Sequence, residues 1–244
     1  MRNIRLDICY DGTRYRGWQR LSTTDNTIQA KLENALSRIL SETIEVTGSG
    51  RTDAGTHARG QVVNFHCSST MPAEEILLQL RRYLPEDIGI YSCKNVSPRF
   101  HARLNAKRKT YRYRVWFSQD PCVFERKYVY ICPSDYDVSK MQEAATYFLG
   151  EHDFSAFCAN KNMKKSTIRY IESFLIQQTD CEIIFEVTGN GFLHHMVRIM
   201  VGTLLEIGRG ERSPQSISEL FGGKRADSGM LIPASGLCLM EVTY

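Results

Sequence analysis

Gly48-Ser49-Gly50-Arg51-Thr52-Asp53-Ala54-Gly55-Thr56-His57-Ala58 joins two segments with strand character, Ile44 to Thr47 and Gln61 to Cys67. Its glycines reach backbone conformations closed to other residues, so a tight, well-determined loop can present side chains from here. A dinucleotide-binding fingerprint is excluded. Asp53 stands where the third glycine of GxGxxG belongs, and a strand follows where a helix should. Neither a GxSxG elbow nor a P-loop occurs in the chain.

Toward the N-terminus, Ile4, Leu6, Ile8 and Tyr10 alternate with polar residues as in a half-buried strand that ends at Asp11-Gly12. From Ile28 the apolar positions Leu32, Ala35, Leu36 and Ile39 recur at helical spacing, with Asn26 and Gln29 resembling a capping box. Toward the C-terminus, Pro72 opens a helix that ends near Leu84, and Ile90 to Val96 is another strand. Strand, helix, strand, strand, helix, strand is an α+β unit with mostly antiparallel pairing. Pro98 marks its end, giving an N-terminal domain 1–98 and a C-terminal domain 99–244. The second half repeats the theme. Its strands fall near 110–117, 168–177 and 181–188, its helices near 138–149, 192–207 and 214–221, and a final strand begins at about 237. No short repeat or low-complexity tract appears, so the duplication is one of topology, and a cleft between similar halves is the natural site.

At 244 residues and 42% hydrophobic content, the chain can bury a substantial core without staples. Its 31 Lys and Arg against 27 acids leave +4, which suits local basic surfaces and excludes an indiscriminate polycation. The eight cysteines contain no CxxC pair, which argues against zinc-ribbon and thioredoxin chemistry. Met1-Arg2-Asn3-Ile4-Arg5-Leu6-Asp7 lacks the apolar core of a signal peptide, so the cysteines read as reduced thiols of a cytoplasmic protein. The most apolar run, Phe192 to Ile207, is short for a bilayer span and carries Arg198 and Glu206. It reads as a buried helix, with no membrane partner expected.

Asp53 has two readings from the residues alone, a turn residue bonded to its own backbone or a presented carboxylate, and Arg51 beside it can be a solvated charge. Arg198 weighs on the choice. It sits mid-helix with apolar neighbours on nearly every side, and a buried guanidinium needs an acid. Its helix offers none before Glu206, so the Asp53 loop is a candidate source. His194 and His195, adjacent on that helix, point about 100° apart, unlike the i, i+4 pair that shares a metal. They read as packing or hydrogen-bonding groups.

Between Arg99 and Arg114 stand Arg99, Arg103, Lys107, Arg108, Lys109, Arg112 and Arg114 with no acid among them. Phosphates are the expected counter-ions. On a strand through Thr110 to Val115, Tyr111 and Tyr113 share a face with Val115, and Arg112 and Arg114 share the other. Such tyrosines either stack on bases or belong to the core. Lys161, Lys164 and Lys165 form a second, weaker basic cluster.

Five motifs now stand in one order: Tyr10-Asp11-Gly12-Thr13-x-Tyr15-x-Gly17-Trp18-Gln19, Gly50-Arg51-Thr52-Asp53-Ala54-Gly55, Phe100-His101-Ala102-Arg103, Tyr111-Arg112-Tyr113 and His194-His195-Met196-Val197-Arg198. In that order they resemble the TruA family of tRNA pseudouridine synthases, from Ile4 to Val242. The resemblance implies the pseudouridine synthase fold, with two α+β halves around a central RNA-binding cleft. It also implies an isomerase that detaches uracil from its ribose, rotates it and rejoins it through carbon, using neither cofactor nor metal. Asp53 resembles the nucleophile, a group able to attack the anomeric carbon or the pyrimidine ring, or to stabilise a cationic sugar. Arg198 resembles its salt-bridge partner, Tyr111 the residue that stacks on the uracil and moves a proton, and Leu237 the apolar floor beneath the base. Arg51 resembles the residue assisting base flipping. Phe100, His101, Ala102, Arg103 and Leu104, with Lys161, Lys164 and Lys165, match segments that hold the RNA. Members act as homodimers on uridines of the anticodon stem-loop (positions 38–40). Two departures, Thr56 for a usual valine and the unlike loop at 161–165, leave room for a different RNA target. Two other functions fit the residues: an RNA-binding module without catalysis, and a hydrolase pairing Asp53 with His57.

Overall fold

The computed structural model describes residues 1–160 and 165–244. Its elements run β1 (Arg2–Tyr10), α1 (Ile28–Leu40), β2 (Thr47–Gly48), β3 (His57–Cys67), α2 (Ala73–Tyr83), β4 (Ile88–Val96), β5 (Arg108–Trp116), β6 (Tyr130–Ile131), α3 (Val138–Thr146), β7 (Gly150–Asp153), β8 (Ile168–Gln178), β9 (Glu182–Gly189), α4 (Met196–Gly208), α5 (Ser216–Leu220) and β10 (Leu237–Thr243). The chain forms two compact units, Met1–Lys107 with Cys238–Tyr244, and Arg108–Leu237.

In the first unit the strand order is β4-β1-β3-β10, with β2 added to β3. β1 pairs antiparallel to both neighbours, placing Leu6 opposite Val63 on one side and Cys93 on the other. Its alternating pattern buries Ile4, Leu6 and Ile8 completely. α1 begins at Ile28 as the periodicity predicts, but no capping box forms. Thr27 is the N-cap, its hydroxyl accepting the Ala30 amide at 3.3 Å, while Asn26 donates to the Arg14 carbonyl and Gln29 accepts the Arg20 amide. The tertiary contacts of the 14–20 segment outcompete the local motif. α2 follows Pro72, with Glu74 and Glu75 in its first turn and Arg81 and Arg82 in its last, matching the helix dipole at both ends. Strand character in Ile44 to Thr47 reduces to the two residues of β2, while β3 begins four residues earlier than the sequence suggests. β10 joins this unit by running parallel to β3, Cys238 opposite His57.

In the second unit the order is β5-β9-β8-β7, antiparallel throughout, with β6 running parallel to β5. α3 packs on β8 and α4 on α3 and β5. α4 starts at Met196, four residues later than the apolar run suggests. His195 takes a left-handed conformation, φ 64°, and acts as N-cap, so Phe192 to His194 approach the helix as a turn. Arg198 therefore lies in the first turn of α4 and not in its middle. Phe148 anchors the core, ringed by Phe154, Phe157, Phe174 and Phe221 at centroid distances of 5.3 to 6.4 Å. Among the described residues no helix is long and apolar enough to cross a membrane.

Because Phe148 is fully buried among four other phenylalanines, Phe148→Ala is expected to cost about 3–5 kcal/mol. Urea unfolding followed by circular dichroism measures it; a loss below about 1 kcal/mol would show that the cluster collapses around the missing ring.

Candidate active site

In the first unit the residues around Asp53 form a loop clamped on every side. Asp53 accepts the Thr56 amide at 3.1 Å, and Gly55 between them has φ +81°, the value a type II turn needs at its third position. The segment ending β1 holds this turn by backbone contact. Trp18 donates its amide to the Thr52 carbonyl at 3.0 Å, and a side chain at Gly17 would come within 2.8 Å of that oxygen. A side chain at Gly12 would collide with the Thr56 carbonyl. Side chains add to the clamp: the Tyr10 hydroxyl bonds Thr52 Oγ1 at 2.8 Å, Ser49 Oγ donates to Gln61 Oε1 at 2.5 Å, and Gln61 Nε2 donates to the Gly50 carbonyl at 3.1 Å. Burial pushes the Tyr10 phenol far above its ordinary value, so it stays a neutral hydroxyl at any physiological pH. Asp53 itself is half-buried.

His57 is buried and turned toward the β1 end. Its Nδ1 accepts the Gly12 amide at 3.1 Å and lies 3.2 Å from Asp11 Oδ1. With Nδ1 engaged this way, His57 anchors the turn.

Phe100 to Leu104 form a tight turn fastened to β1, β3 and the C-terminal strand. Asn3 Nδ2 donates to the Phe100 carbonyl at 2.8 Å, the Ala102 amide donates to Asn64 Oδ1 at 2.8 Å, and the Tyr244 hydroxyl donates to the Ala102 carbonyl at 2.7 Å. His101 Nδ1 accepts the amides of Arg103 and Leu104. Asn3, Asn64 and Ala102 are buried, and Phe100 packs on Tyr244 with centroids 5.0 Å apart. Of the five residues, Ala102 thus plugs the turn and His101 shapes it, while Arg103 and Leu104 are exposed. Arg51, also exposed, lines one pocket with Arg103.

In the second unit β5 splits as the period-2 reading requires. Tyr111, Tyr113 and Val115 are buried, opposite Val187, Phe185 and Ile183 of β9. Tyr113 belongs to the core, with its hydroxyl on the Pro233 carbonyl at 2.7 Å, whereas Tyr111 keeps 8% exposure and meets Phe192 edge-on at 5.1 Å. The arginines of the opposite face do not await phosphate. Arg108 pairs with Glu172 at 2.6 Å, Arg112 with Glu186 at 2.7 Å, and Arg114 with Glu182 and Glu125 at 2.6 and 2.7 Å. Glu172, Glu182 and Glu186 come from β8 and β9, far along the chain, and Glu125 from the loop eleven residues after Arg114. Arg198 Nε donates to the Ile232 carbonyl at 2.8 Å, and Glu206, the acid on its helix, is committed to Arg212 and the Met230 amide. Leu237 is buried, its amide on the Ala234 carbonyl. His194 and His195 differ from the helical expectation: the left-handed turn at His195 brings their rings within 3.7 Å. Lys161 and Lys164 lie outside the described residues, and Lys165 is exposed.

Tyr10, Gly12, Gly17 and Gln61 frame the Asp53 turn, a role that sequence periodicity alone does not disclose. Glycines interleaved with aromatics beside a second glycine loop were the available signal.

A family model described as tRNA pseudouridine synthase matches residues 8–105 and 144–244. The chain is 43% identical over 244 residues to tRNA pseudouridine synthase A of Bacillus sp. (strain KSM-64), covering all of both chains. It is 44% identical to tRNA pseudouridine synthase A 1 of Clostridium tetani and 42% identical to tRNA pseudouridine synthase A 2 of Clostridium perfringens, again at full coverage of both.

Thr56 is buried, and among the described residues its hydroxyl has no hydrogen-bond partner. Thr56→Val keeps the shape and removes that group, so it is expected to stabilise the protein by about 1 kcal/mol. A melting temperature unchanged or lowered in scanning calorimetry would mean that the hydroxyl is satisfied.

Proposed function

The chain belongs to the tRNA pseudouridine synthase family and isomerises uridine to pseudouridine in tRNA, and from that premise we propose that Asp53 is its nucleophile. The observation that carries the reading is the clamp on the Asp53 turn, which fixes a carboxylate by its backbone and leaves the side chain half-buried. Chemistry on a base in a folded RNA requires extrusion of that base, at a cost of a few kcal/mol, and a preset nucleophile spends no further free energy on its own ordering. With the carboxylate covalently engaged, the C1′–N1 bond between ribose and uracil breaks, uracil turns, a C1′–C5 bond forms as the carboxylate leaves, and the proton lost from C5 is matched by one taken up at N1. Neither cofactor nor metal takes part in this scheme.

Tyr111, rigid against Phe192, stacks on the uracil and serves the proton that leaves C5. Leu237 forms the apolar surface under the base. Arg198 supplies the counter-charge to Asp53, a role consistent with the commitment of Glu206 elsewhere. Arg51 assists flipping. Arg103 and Leu104, with Lys161, Lys164 and Lys165, contact the RNA, while Phe100, His101 and Ala102 support them. The target uridines lie on the 3′ side of the anticodon arm, and the enzyme works as a homodimer in the cytoplasm.

Asp53→Asn is expected to abolish conversion of labelled tRNA in single-turnover assays while affinity stays within several-fold, because phosphate contacts dominate binding. Retention of more than about a tenth of the wild-type rate would remove Asp53 from the nucleophile's place. The dependence of affinity on salt separates the two classes of arginine. Arg103→Gln should reduce the slope of log K against log salt by roughly one, and Arg112→Gln, whose charge Glu186 already balances, should leave it unchanged. A reversed ranking would put the RNA on the β5 face.

A further inference from the structure

The pocket shared by Arg51 and Arg103 has a cavity of about 170 Å³, walled by Trp18, Thr47, Gly48 and Gly50. Three other arginines of the first unit are matched: Arg14 with Asp87, Arg20 with Glu33, and Arg5 with Asp7 while it covers the Tyr244 ring at 4.7 Å. Arg51 and Arg103 differ. Among the described residues neither guanidinium has an ion-pair or hydrogen-bond partner. Each is mounted on backbone that cannot easily move away. Arg51 follows Gly50, whose carbonyl Gln61 holds, and Arg103 rides on the turn fastened by Asn3, Asn64 and Tyr244. Two rigidly carried cations over one small cavity would repel each other, and the group that relieves this is a compact anion with several acceptor oxygens. The indole of Trp18, packed against Gly48, makes one wall apolar, and so suited to the sugar next to such an anion.

We propose that this pocket is a single-phosphate clamp, in which Arg51 and Arg103 together grip one phosphodiester of the RNA strand beside the target uridine. The inference rests on the tRNA-isomerase reading and names one contact within it. Gripping the linkage next to the target fixes the backbone about which the nucleotide swings, so the clamp aids extrusion as well as affinity. Both arginines act on one group, unlike independent contacts scattered along the strand.

The test uses the full-length protein and an anticodon stem-loop RNA in which single linkages around the target uridine are replaced, one at a time, by uncharged methylphosphonates. Wild type, Arg51→Gln, Arg103→Gln and the double variant are compared by kcat/KM. Each single substitution is expected to cost about tenfold on unmodified RNA, and the double less than the product of the two. At one linkage, neutralisation should shrink both single penalties to below about twofold, since the partner of both side chains is then gone. Penalties that multiply, or that persist whichever linkage is neutral, would overturn the clamp. So would competitive inhibition by inorganic phosphate that Arg103→Gln relieves without any linkage dependence, which would make the pocket a site for a free anion. Conversion of unmodified RNA by the wild type checks the isomerase reading separately, so the two failures are distinguishable.

Discussion

The backbone of the Asp53 turn lies directly against the backbone that follows β1, with no side chains between them. At Gly12 and Gly17 a single added carbon would meet a carbonyl of the loop. Contacts of this kind are short and stiff, because a main chain has no rotamers with which to yield. The Tyr10–Thr52 bond joins β1 to the same loop, and the Ser49–Gln61–Gly50 bonds tie the loop to β3. Positioning of the carboxylate is thereby built into the first unit and does not depend on a flexible side chain finding its place.

Charge is distributed by the same logic of prior commitment. The arginines of β5 face glutamates across the sheet and hold the strands in register. Exposed pairs of this sort contribute little stability, and they also leave little field for a polyanion to read. Arg51 and Arg103, carried by turns, have no such partner among the described residues. With a formal excess of only +4, the chain cancels the cations of β5 in place.

How much of this the sequence discloses follows from the range of each interaction. The period-2 burial of Ile4 to Ile8 and of Tyr111 to Val115, the start of α1 at Ile28 and the helix after Pro72 rest on neighbours along the chain, and all are legible. Thr27 displaces Asn26 as cap because the 14–20 segment claims Asn26 and Gln29. His195 breaks the helical run because its left-handed backbone is set by the surrounding turn, not by its own preference. Glu172, Glu186 and Glu182, which pair with Arg108, Arg112 and Arg114, are invisible for the same reason, since they lie roughly 60 to 75 positions away. The site divides likewise. Motif order singles out Asp53, Arg51 and Arg103, while the plugging role of Ala102 and the buried Asn3–Asn64 pair emerge only in three dimensions.

The parallel pairing of β10 with β3 gives the first unit a discontinuous sequence. On the ribosome, residues up to Lys107 emerge before the second unit, yet β10, which covers the His57–Ala58 end of the far edge of β3, is synthesised only after it. Until then that edge offers unpaired amides and carbonyls, the kind of surface on which nascent chains associate wrongly. Tyr244, which fastens the Ala102 carbonyl, arrives with the same late strand. The turn bearing Arg103 thus gains its Tyr244 fastening only after the second unit, so a chain truncated before β10 would carry the Asp53 loop but lack a complete mount for the Arg103 turn.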